Sequence, residues 1–77
     1  MILDIDVHGM MVEEAINHIE RVIKKAAKDV TAIRVIHGYR GGNALKKAIQ
    51  DPNGIRSNKI ARRRYTMNQG ETILELV

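Results

Sequence analysis

The 77-residue chain has no cysteine, no phenylalanine and no tryptophan, a single proline, and only two tyrosines, Tyr39 and Tyr65. Without cysteine there are no disulfides, no zinc–thiolate sites and no thiol catalysis. With so few aromatics the core must be aliphatic, and extended base stacking is not available. No apolar run is long enough to span a bilayer, and no signal-peptide pattern stands at the N-terminus. These absences predict a cytoplasmic protein with no membrane partner. The length suits one small domain over residues 1–77, near the lower limit for a self-sufficient core.

What is present is an uneven charge distribution. Residues 1–20 hold Asp4, Asp6, Glu13, Glu14 and Glu20 and no lysine or arginine, whereas residues 21–64 hold all 13 Lys and Arg against Asp29 and Asp51. The net charge of +4 therefore understates how basic the middle of the chain is. A block this lopsided serves either as a solvated surface or as a contact for a polyanion.

Leu3, Ile5 and Val7 alternate with Asp4 and Asp6, a period-two strand with one buried face. Val12, Ala15, Ile16, Ile19, Val22, Ile23 and Ala26 recur at helical spacing and predict a helix from Val12 to Lys28. Glu13 and Glu14 at its start and Lys24, Lys25 and Lys28 at its end suit the helix dipole, although Met11 offers no capping oxygen. Ala32 to His37 reads as a second strand buried on both faces. Ala44 to Gln50 reads as a short helix capped by Asn43 and ended by Asp51-Pro52-Asn53-Gly54. Strands over 60–66 and 72–77 flank an Asn68-Gln69-Gly70 hairpin turn. Arg62-Arg63-Arg64 would put cations on both faces of the third strand, which suits a sheet edge.

The first two strands end alike, in Asp6-Val7-His8-Gly9 and Val35-Ile36-His37-Gly38. A strand–helix–strand crossover makes them parallel and sets those ends side by side, at the edge where open α/β sheets bind ligands. Asp6 and His8 share one face of the strand, and a carboxylate beside an imidazole fixes its tautomer for acid–base work. The plainer alternative is a surface pair that caps the strand end. Gly38, Gly41 and Gly42 around Tyr39 and Arg40 lead into the second helix, so backbone N–H groups there can approach an anion. Arg40 would add a bidentate phosphate contact and Tyr39 a stacking face. Such glycines are equally expected in any tight turn. Lys46, Lys47, Arg62, Arg63 and Arg64 read as phosphate-positioning surface. A divalent metal would need Asp6, His8 and His37 to converge on one ion; nothing in the spacing demands it, and no cofactor is expected.

The Asp6-Val7-His8-Gly9 motif, the acidic-start helix, and Ile36-His37-Gly38 with its glycine-rich loop into Ala44-Leu45-Lys46 together resemble the Smr (small MutS-related) domain family. The closing Asn68-Gln69-Gly70-Glu71 turn and last strand are similar too. One position departs: the second motif commonly carries a glycine where this chain has Arg40, and the glycines fall at Gly41 and Gly42. The resemblance implies an α/β fold, a compact two-layer β-α-β-α-β-β sandwich similar to the C-terminal domain of a bacterial translation initiation factor. It also implies binding to DNA or RNA, with nicking endonuclease activity in several members. The family's motif residues carry over onto Asp6, His8, His37 and Gly38. The resulting expectation is a nucleic-acid-binding domain that, as an enzyme, hydrolyses phosphodiesters with His8 or His37 as acid or base. The alternatives are a non-catalytic module for structured RNA or branched DNA, and a domain that docks on a ribosome or a repair protein.

Overall fold

The computed structural model describes residues 1–39 and 43–77. Its elements run β1 (Ile2–Asp6), α1 (Val12–Lys25), β2 (Ala32–Ile36), α2 (Ala44–Gln50), β3 (Ile60–Tyr65) and β4 (Glu71–Leu76). The four strands form one sheet in the order β1-β2-β4-β3. β1 lies parallel to β2 with Asp6 opposite Ile36, and the Val7 N–H donates to the Ile36 carbonyl at 2.9 Å. β4 runs antiparallel to both β2 and β3, so the sheet is mixed and β3 is an edge.

One face of the sheet is apolar because residues two apart share a face. Ile5, Val7, Ile33, Val35 and Leu74 pack there against Ala15, Ile19 and Ile23 of α1 and Ile49 of α2. Burying side chains such as Ile19 and Ile23 contributes about 1.5–3 kcal/mol each. The opposite face carries charge: Arg34 reaches Asp4 at 3.1 Å and Glu71 at 3.6 Å, and Glu75 accepts from both Arg62 and Arg64 at 2.7 Å. Ala32 and Ile73 are nonetheless buried on that face, Ile73 lying between Arg34 and Arg64 and Ala32 beside Glu75 in the register.

Three local readings change. α1 stops at Lys25, because Ala26 turns extended and a turn from Ala27 brings Val30 into the core; Lys28 therefore lies beyond the helix. Asn43 makes no side-chain cap on α2, although its carbonyl accepts the Lys47 N–H at 2.8 Å. β2 is central but not buried evenly, since Arg34 and Ile36 on its charged face stay half-exposed. The Asp51–Gly54 turn presses against α2 so closely that a Cβ on Gly54 would fall 1.9 Å from the Ala48 carbonyl oxygen.

Candidate functional site

Parallel pairing of β1 and β2 delivers His8 and His37 to the same sheet end, as the strand–helix–strand order predicts. Gly9 and Gly38, at φ +80° and +73°, turn the chain sharply after each histidine. The two segments pack closely: a Cβ on Gly38 would lie 3.6 Å from the His8 Cβ. The two histidines nevertheless meet different fates.

His8 is exposed and tied to Asp6. The Asp6 Oδ1 accepts from His8 Nδ1 at 2.5 Å and from the His8 backbone N–H at 3.1 Å, an Asx-type turn closed by an imidazole. The carboxylate can only accept, so Nδ1 carries a proton, and in the neutral ring Nε2 is the accepting nitrogen of a side chain that is 69% exposed. The side-chain bond from His8, then the backbone bond, hold the Asp6 carboxyl below its ordinary 3.8.

His37 is 4% exposed, and both its ring nitrogens are engaged. Nδ1 lies 2.8 Å from the Gly38 carbonyl, which can only accept, so Nδ1 is the protonated nitrogen. Nε2 then accepts from the Thr72 hydroxyl at 2.9 Å, and that hydroxyl accepts from the Gln50 amide at 3.1 Å. The His37 and Gly38 backbone N–H groups both donate to the Gly70 carbonyl at 2.9 Å. Neither the ring of His37 nor the Gly38 amide is left over for an anion.

Around this sheet end lies a cleft of about 650 Å³. Met10, Met11 and Val12 form the α1 side, and Tyr39, Ala44 and Leu45 the α2 side. Ile36, Gly38 and Gly70 also line it, with His8, His37 and Asn68 as polar groups. Tyr39 is half-exposed and seated on Gly70, where a Cβ would come within 3.3 Å of its Cδ1. Arg40, Gly41 and Gly42 lie outside the described residues.

The basic residues divide. Lys47 is exposed and Lys46 half-exposed on α2, one and two positions after the cleft residue Leu45. Arg62 and Arg64 lie on the charged sheet face, both held by Glu75. Arg63 points the other way and donates to the Ile49 carbonyl at 2.8 Å, near the end of α2. Among the described residues no three His, Cys, Asp or Glu side chains gather in a metal-binding arrangement.

Sequence reasoning did not single out Gln50, Thr72 or the methionine wall, and it read Gly70 only as part of the hairpin turn. Thr72 left a faint trace, as a hydroxyl at the head of the apolar run Ile73-Leu74. Gln50 left none, because its partner is 22 residues away.

A model of the Smr domain matches residues 5–72. Among solved structures, the Smr domain of Thermus thermophilus MutS2 superimposes with a TM-score of 0.83 at 24% identity, covering 97% of this chain and 98% of that one. At that identity the likeness shows the fold. No curated protein matches the chain. The family match takes in both His-Gly strand ends and the turn before β4, and the chain belongs to the Smr domain family, which in general binds nucleic acid.

Proposed function

We propose that this domain binds nucleic acid where β1 and β2 end and hydrolyses a phosphodiester there, with His8 as the general base. The observation that carries this reading is the exposed Asp6–His8 pair, whose hydrogen bond puts the proton of the neutral ring on Nδ1 and makes Nε2 its basic nitrogen. His8 Nε2 takes a proton from the attacking water as its oxygen bonds to phosphorus. The bond from phosphorus to the leaving oxygen breaks, and that oxygen takes a proton from solvent. Asp6 steadies the imidazolium that forms. His37 is a positioning residue: its ring fixes the turn that carries Gly38 and Tyr39.

The test is nicking of supercoiled plasmid and cleavage of a labelled RNA by wild type, Asp6→Ala and His8→Ala, with binding measured in parallel. Cleavage should fall roughly 10²–10⁴-fold in His8→Ala while binding persists. Equal cleavage by all three proteins would sink the assignment.

One observation favours a second reading, a binding module without catalysis. With both nitrogens of His37 taken, His8 has no second histidine beside it to act as acid. Retained, steeply salt-dependent binding with no cleavage by wild type would select that reading.

A further inference from the structure

Phosphate recognition accounts for His8 and the α2 lysines, but not for the cleft beside them. Its walls are mostly apolar, and two of its large side chains stand in solvent: Met11 is 77% and Tyr39 51% exposed. Tyr39 is not a loose surface ring, since it rests against Gly70. Asn68 adds an amide whose NH2 can donate, its Oδ1 already accepting the Gly70 N–H at 2.8 Å. The helices on its two sides differ in charge: α2 carries Lys46 and Lys47 and the first turn of α1 carries Glu13 and Glu14, none of the four lining the cleft itself.

We propose that this cleft receives one unstacked nucleobase, so that the domain selects single-stranded nucleic acid over duplex. The proposal rests on the reading that this sheet end binds nucleic acid. The charge difference orients the strand: phosphates follow the lysines of α2, away from Glu13 and Glu14, and the base turns inward between Tyr39 and Met11. A flat apolar ring with polar edges matches mostly apolar walls that carry one amide and the edge of two histidines. A duplex cannot supply it, because its bases are paired and stacked unless one is extruded. Stacking on a tyrosine is tolerant of base identity, so the site reads strandedness more than sequence.

The test compares a single-stranded oligonucleotide, the same backbone with its bases removed, and a duplex of equal length, in both DNA and RNA. Affinities come from fluorescence anisotropy for wild type, Tyr39→Phe, Tyr39→Ala and Met11→Ala. The base-bearing strand should bind tighter than the abasic one by roughly 5- to 150-fold, the range of one stacked base. Tyr39→Phe should keep that gap, Tyr39→Ala should close most of it, and Met11→Ala should narrow it. Tyr39 and Tyr65 are the only aromatics, so Tyr65→Phe leaves Tyr39 as the sole tyrosine emitter. Its emission should be quenched by the base-bearing strand and not by the abasic one. Equal, salt-sensitive binding of normal and abasic strands would overturn the cleft proposal and leave the phosphate reading standing. Tighter binding of duplex would overturn it as well. Binding of none of the three would overturn both.

Discussion

His37 and Thr72 are joined by a 2.9 Å hydrogen bond between Nε2 and the threonine hydroxyl, and this bond makes the second histidine of the sheet end a part of the scaffold. Its direction follows from the neighbours. The Gly38 carbonyl can only accept and the Gln50 amide nitrogen can only donate, so with a neutral ring donation runs from Gln50 to Thr72 to His37 to Gly38. Thr72→Val keeps the shape and removes the hydroxyl, leaving a buried ring nitrogen without its donor and the Gln50 amide without its acceptor. We expect a loss of about 1–3 kcal/mol in urea unfolding. Thr72→Ser should recover most of it. Nitrogen-15 spectra of the histidine rings should show His37 as the Nδ1–H tautomer; an Nε2–H ring would mean that the chain of donors runs differently.

Periodicity made the elements legible because each uses a single apolar face. The Ala44–Gln50 helix agrees residue for residue, and every strand lies within a residue or so of its expected place. Asp6 and His8 were legible for the same reason, since residues two apart on a strand share a face. What could not be read were relations across the sheet. Nothing local says that β4 inserts between β2 and β3, yet that placement brings Thr72 to His37 and Glu75 to Arg62 and Arg64. His37 looked equivalent to His8 because the dipeptides match. The face of the sheet separates them: His37 continues the Ile33 and Val35 face, which the helices cover, whereas His8 continues the Asp4 and Asp6 face and stays in solvent.

Asp6 should titrate below its ordinary 3.8, and the cause can be dissected. Two bonds from His8 favour the ionised carboxylate, the ring contributing more than the backbone N–H. A depressed native pKa means a contribution to stability that is complete above the ordinary value and is lost as pH falls through the native one. Replacing the ring by His8→Ala leaves the backbone bond in place. The Asp6 carboxyl should therefore move part of the way back toward 3.8, as followed by carbon-13 NMR of its side chain. An unchanged titration would mean that the ring does not hold the carboxylate.

Lys46 and Lys47 should act on affinity without setting specificity. In Lys46→Gln/Lys47→Gln, binding should weaken about equally for all base sequences. The slope of log affinity against log salt should become shallower by roughly 0.7–0.9 for each phosphate that the variant no longer neutralises. Circular dichroism should stay unchanged, since neither side chain is buried. A normal salt slope in the double variant would place the phosphate backbone elsewhere.

Glu75 gives the means to ask whether the arginine strand meets nucleic acid. The β-bulge between Ile60 and Arg62 sets Arg62 opposite Glu75, and alternation puts Arg64 on the same face, so one carboxylate holds both guanidinium groups. Those bonds, Arg62's first and then Arg64's, hold the Glu75 carboxyl below its ordinary 4.5. Glu75→Gln removes the carboxylate that Arg62 and Arg64 share. If the arginines bind phosphate, affinity should rise several-fold and the salt slope should steepen by roughly 0.7–0.9 for each further phosphate neutralised. The variant should also lose the part of wild-type stability that declines as pH drops below 4.5, flattening its acid unfolding profile. Flattened acid unfolding with unaltered affinity would assign Arg62 and Arg64 to holding the β3 edge and leave phosphate binding to the cleft side of the domain.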